Sequence, residues 1–80
     1  MRVEGVDVPP AVIERVEQRM RQGGFRAKDL SELSAKEMGI SDSSPVANRV
    51  ADRLIQKHKK ADNLRLASVR PFPVWDWCGK

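Results

Sequence analysis

Apolar residues recur at helical spacing in three stretches of the chain and with a period of two in a fourth, which predicts three helices followed by a β-hairpin. After Pro9-Pro10, Val12 or Ile13, Val16 and Met20 mark the inner face of a first helix of about four turns, with Pro10 at its first position and Gly23-Gly24 at its end. Its outer residues, Glu14, Arg15, Glu17, Gln18, Arg19 and Arg21, form a solvated mixed-charge surface, and Glu17 and Arg21 have the i,i+4 spacing of an ion pair. Phe25 is expected to plug the core from a short extended piece. A second helix is predicted over Ala27 to Met38, with Leu30, Leu33 and Met38 inward. Gly39 suits a left-handed terminator, with Ile40 tucking back against the helix as the apolar contact of such a cap.

The third helix is predicted from Ser43-Ser44-Pro45 through Lys60. Ser43 or Ser44 caps the first turn, and Pro45 suits the first helical position because it has no N–H to leave unpaired. Ala47, Val50, Ala51, Leu54 and His58 share one side, with Val46 and Ile55 at its edges. Arg49, Asp52, Arg53, Gln56 and Lys60 share the other. Asp62-Asn63 provides the turn out of this helix, with Asn63 as the residue that tolerates a left-handed backbone. Leu64 and Leu66 then alternate with Arg65 and Ala67, and Trp75 and Trp77 with Val74, Asp76 and Cys78, as in paired strands. The tryptophans are expected to anchor the core. Between the strands, prolines at 71 and 73 stiffen a loop that carries Arg70 and an exposed Phe72. Residues 1–8 read as a loosely held arm whose Val3, Val6 and Val8 can pack on the body, and residues 79–80 as a tail.

Eighty residues form one domain that buries roughly 60–65% of its unfolded surface, and 40% apolar with 32% charged residues is a globular balance. The absence of a secretory or membrane-spanning segment points to the cytoplasm. One cysteine and one histidine supply neither a disulfide nor a zinc-ligand set, so no metal is expected, and Cys78 reads as a small apolar residue. With no Gly-rich phosphate loop, no tyrosine and no evident carboxylate pair, neither a cofactor nor enzymatic chemistry is expected. Charge is more informative. Residues 1–48 have a net charge of −1, residues 49–70 carry +5, and residues 71–80 balance. A solvated helix surface also carries such residues, but a positive field confined to one helix and the strand after it suits phosphate.

Several segments carry a family resemblance. Phe25-Arg26-Ala27-Lys28-Asp29-Leu30 looks like the short strand and opening of the second helix in winged helix-turn-helix domains, with Arg26 where a capping Ser or Thr is common. Ala35-x-x-x-Gly39-Ile40-Ser41 is similar to the turn signature of that superfamily, and Asn48-Arg49-Val50-Ala51-Asp52-Arg53-Leu54 resembles a recognition helix. Lys59-Lys60-Ala61-Asp62-Asn63-Leu64 stands where family members leave that helix and enter the wing. The resemblance covers residues 9 to 78 and implies an α+β fold, a three-helix winged helix-turn-helix with a C-terminal two-stranded β-hairpin wing. Ala35, Ala47 and Ala51 are then expected to let the second and third helices approach closely.

The same resemblance implies a small transcriptional or accessory regulator that binds double-stranded DNA. Asn48 would pair with adenine and Arg49 or Arg53 with guanine in the major groove. Ser43 and Ser44 would face phosphate at the helix N-terminus, with Gln56, Lys57, Lys59 and Lys60 on the backbone farther along. Arg70 at the wing tip, supported by Arg65, would reach a minor groove or flanking phosphate. Asp52, which would repel phosphate or orient its arginine neighbours, counts against this assignment. The alternative is a protein-interaction module in which Arg49, Arg53 and Arg70 meet an acidic partner or Phe72 enters an apolar pocket. RNA binding is a weaker third reading because no RNP-like aromatic signature is present. Homodimerisation through the first helix or the N-terminal arm would enlarge a small contact area.

Overall fold

The computed structural model describes residues 2–79. Its elements are β1 (Arg2–Val3), β2 (Val6–Asp7), α1 (Pro10–Arg21), α2 (Ala27–Met38), α3 (Pro45–Lys60), β3 (Leu64–Ser68) and β4 (Val74–Trp77). Three helices followed by a C-terminal antiparallel hairpin give the expected α+β arrangement. Local chemistry accounts for the helix boundaries. Pro10 and Pro45 occupy first-turn positions of α1 and α3, and the Ser44 hydroxyl accepts a hydrogen bond from the Val46 N–H at 3.2 Å. Gly39 ends α2 at φ 68°, and the Ile40 N–H reaches back to the Ala35 carbonyl at 2.9 Å. The Ile40 side chain is 37% exposed, so it is only partly covered at this cap.

The core is formed by Val12, Val16, Met20, Phe25, Leu30, Val50, Ala51, Leu54 and Ile55 together with Val3 and Val8. Ala35, Ala47 and Ala51 are buried, and α2 and α3 make the most extensive helix–helix contact, as the small residues anticipate. Phe25 is fully buried and forms an antiparallel bridge with Trp75, so the chain between α1 and α2 borders β4. Trp75 and Trp77 are half-buried and pack against the core. Arg65 stands opposite Asp76 in the β3–β4 register, which shifts between Leu66 and Ser68. The Asp76 carboxylate turns instead to the Gly24 N–H at 2.7 Å. Next to it Gly23 has φ 76°, and a Cβ there would lie 3.1 Å from Asp76 Oδ1, so glycine satisfies both the turn and the approach of β4.

The N-terminus differs from a loose arm. β1 and β2 pair antiparallel through a turn at Glu4 (φ 51°) and Gly5 (φ 76°). Val3 and Val8 are buried and hold this hairpin to the body, while Val6 remains exposed. Alternation over so few residues was too short to announce strands in sequence. Gly79 is also tied down, donating its N–H to the Asn63 carbonyl at 3.2 Å, whereas Met1 and Lys80 lie outside the described residues.

Candidate nucleic-acid interface

The turn between α3 and β3 sets the relation of the two elements expected to meet DNA. Asp62, with φ 58°, adopts the left-handed conformation expected of Asn63. Asn63 is thereby free to use its side chain elsewhere: its amide nitrogen donates to His58 Nδ1 at 3.0 Å. His58 Nε2 then carries the proton donated to Glu17 of α1 at 2.6 Å. The imidazole also meets Trp77 edge-on at a centroid distance of 4.9 Å. This chain links α1, α3 and the hairpin at the C-terminal end of α3. Lys57 lies 3.6 Å from the same Glu17 carboxylate. Glu17 therefore faces α3 and not Arg21, whose guanidinium lies over Trp77 at 5.6 Å. Cys78 is exposed at this end, with its thiol 3.6 Å from the Asp62 carbonyl.

Along its outer surface α3 presents Asn48, Arg49, Asp52, Arg53, Gln56 and Lys60, all exposed. Two grooves separate this ridge from the start of α2. The first lies beside the N-terminal half of α3 and is lined by Ser43, Asn48 and Arg49 together with four carboxylates, Glu4, Glu32, Asp42 and Asp52. Lys28 is the other cation there, 3.9 Å from Glu32. The Glu4 carboxylate accepts a hydrogen bond from Arg49 Nε at 3.2 Å. Neither serine points simply to a phosphate: Ser44 caps the helix, and the Ser43 hydroxyl is 2.8 Å from that of Ser41.

The second groove runs beside the C-terminal half of α3 and has the opposite balance. Arg26, Lys28 and Lys59 line it against a single carboxylate, Asp52. Ile55, Trp75, Phe72 and Pro73 supply its apolar surface, and Gln56 stands on its α3 side. The hairpin tip is therefore continuous with the second half of α3. Two cations rest on aromatic rings here, Lys59 Nζ 5.2 Å from the Trp75 centroid and the Arg26 guanidinium 5.5 Å from that of Phe72. Phe72 remains 56% exposed and Val69 63% exposed, so the tip keeps its apolar residues in solvent.

Arg26 at the start of α2 is anchored by Asp29, whose carboxylate accepts the Arg26 backbone N–H at 2.9 Å and lies 3.5 Å from the guanidinium. Burial pushes the Asp29 carboxyl upward, but the backbone hydrogen bond, the side-chain hydrogen bond and the charge of Arg26, assisted by Arg19, outweigh it and hold the group below its ordinary value. An arginine thus opens α2 because the aspartate three residues on supplies the reciprocal cap.

The residues expected at the interface accordingly separate into two groups. Ser43, Ser44, Asn48 and Arg49 belong to the carboxylate-rich end, and Lys57 faces Glu17. Among the described residues Arg53, Lys59, Lys60, Arg65 and Arg70 have no carboxylate in ion-pair contact. Arg26 and Lys28 join the second groove although the recognition-helix pattern does not include them; their only sequence signal was the basic start of α2. Among the described residues no three His, Cys, Asp or Glu side chains cluster so as to hold a metal ion, and no helix is long and apolar enough to cross a membrane. Comparison of the chain with protein-family models, with curated proteins and with solved structures returns no match.

Proposed function

We propose that this chain is a winged helix-turn-helix module of the cytoplasm that binds double-stranded DNA as a small transcriptional or accessory regulator. The observation that carries this reading is the set of exposed cations on the second half of α3 and the hairpin that have no carboxylate partner among the described residues: Arg53, Lys59, Lys60, Arg65 and Arg70. In the major groove Arg53 approaches base edges, with Asn48 and Arg49 toward the other end of the same ridge and Gln56 on the backbone farther along. Lys60, Arg65 and Arg70 neutralise phosphate around them, and Lys59 extends that surface toward the tip.

Fluorescence anisotropy with a labelled random duplex over a range of salt concentrations tests this directly. Binding should weaken with salt along a log-log line whose slope is about 0.9 per phosphate neutralised. Absence of binding at low salt rejects the proposal. The exposed apolar tip favours a second reading, a protein-interaction module centred on Phe72. Such a contact would change little with salt and would be lost in Phe72→Ala.

A further inference from the structure

The β1–β2 hairpin places a carboxylate on the face through which α3 is proposed to meet DNA. Glu4 sits at its turn, buried Val3 of β1 and Val8 just after β2 hold the hairpin to the core, and Glu4 Oε1 lies 3.2 Å from Arg49 Nε. The two residues are far apart in sequence, so this juxtaposition exists only in the folded chain. Glu4 is one of four carboxylates around the N-terminal half of α3 and is the one paired with Arg49.

We infer that Glu4 is a specificity-determining residue: it occupies the Arg49 guanidinium in the free protein and withholds it from the phosphate backbone of non-target DNA. The inference rests on the proposed DNA reading and adds a chain-specific discriminator to it. An arginine without a carboxylate partner neutralises phosphate on any sequence, and so raises affinity everywhere and discrimination nowhere. Paired with Glu4, Arg49 has its charge offset and is drawn less strongly to phosphate, so its reading of DNA depends on an acceptor that offers more than charge. The O6 and N7 edge of guanine provides that through two aligned hydrogen bonds. The pair is half-exposed, with side-chain exposures of 59% for Arg49 and 49% for Glu4, so exchange of partners requires no opening of the core. Pairs of this exposure are weak, and the competition is correspondingly graded.

Anisotropy titrations of wild type, Glu4→Gln, Arg49→Gln and the double variant against a random duplex test the inference, with thermal melts to establish folding. Glu4→Gln should bind the random duplex about three-fold more tightly, a change within the range of an exposed pair, and its salt slope should steepen by about 0.9 as Arg49 gains a phosphate. In the Arg49→Gln background the same substitution should do nothing. Equal affinity and slope for wild type and Glu4→Gln would overturn the inference while leaving DNA binding intact. So would an equal gain in both backgrounds, which would make Glu4 a general repulsive charge. Failure of wild type to bind at low salt would remove the underlying reading together with the inference. Glu4→Asn, whose side chain tolerates the left-handed turn, provides a second folded variant and should reproduce the glutamine result.

Discussion

The two halves of α3 have similar side chains and opposite electrical surroundings. Near its N-terminus Arg49 projects into a groove with four carboxylates and is paired with Glu4. Toward its C-terminus Lys59 enters a groove with two further cations and one carboxylate, and Arg53 and Lys60 on the exposed ridge have no acidic partner among the described residues. Along the chain, Arg49 and Arg53 are neighbours one helical turn apart and look equivalent. In the folded protein, Glu4 of the β1–β2 turn, Glu32 of α2 and Asp42 of the α2–α3 turn join Asp52 of α3 itself around one of them. The difference shows that the location of a binding face depends on what neighbouring elements bring to a helix as much as on the residues of the helix itself.

The contrast can be broken most severely by removing the support that both halves share. Leu54 is fully buried in the middle of α3, and Leu54→Ala should cost about 2–5 kcal/mol in urea unfolding and abolish both grooves together. Changing charge alone should act on one half. Replacing Arg53 and Lys60 together with glutamine should flatten the salt dependence of duplex binding by about 1.8 in log-log slope, while Arg49→Gln alone should alter it little because Glu4 already holds that charge. An equal loss of slope at Arg49 and Arg53 would show that the two ends are electrically alike.

Smaller effects sharpen the account of how each end is held. His58→Ala leaves Glu17 and Asn63 without their shared partner at the C-terminal end of α3, and a loss of about 1–3 kcal/mol is expected in denaturant unfolding. At the start of α2, Asp29→Ala should cost about 0.5–1.5 kcal/mol at neutral pH through loss of the Arg26 contacts. The pH dependence has a definite sign. Because the Asp29 carboxyl is held below 3.8, its contribution is complete above that value and is lost as pH falls through the lower folded-state value. Unfolding curves of wild type and Asp29→Ala should therefore converge on acidification below the ordinary carboxylate range. A gap that persisted there would assign the effect to the neutral side chain.

The elements of this fold were legible where a signal acts over a few residues. Pro10, Gly39, Ser44 and Pro45 mark helix ends through backbone requirements of their own turns, and α2 and α3 have the anticipated bounds. Spacing placed Ala47, Ala51 and His58 on the buried face of α3 and Leu30 on that of α2, where Leu33 and Met38 are only partly buried, while buried Ala35 was expected at the helix contact through the family resemblance. Strands were legible in residues 64–78 because alternation continued long enough, but not in residues 2–7, where each strand has two residues. At the α3 exit both Asp62 and Asn63 were suited to the turn, and the hydrogen bond from Asn63 to His58 accompanies the left-handed backbone at Asp62.

By itself the sequence determined the order of helices and hairpin, the composition of the core and the excess of positive charge in residues 49–70, because periodicity, capping and net charge are properties of the covalent chain. Only the tertiary structure decided which of those charges remain available. Glu4 meets Arg49, Glu17 meets His58 and Lys57, and Asp76 meets Gly24 across separations that no local pattern specifies. Coulombic and hydrogen-bond energies depend on distance in space, and that distance is set when the buried faces of the helices and strands pack.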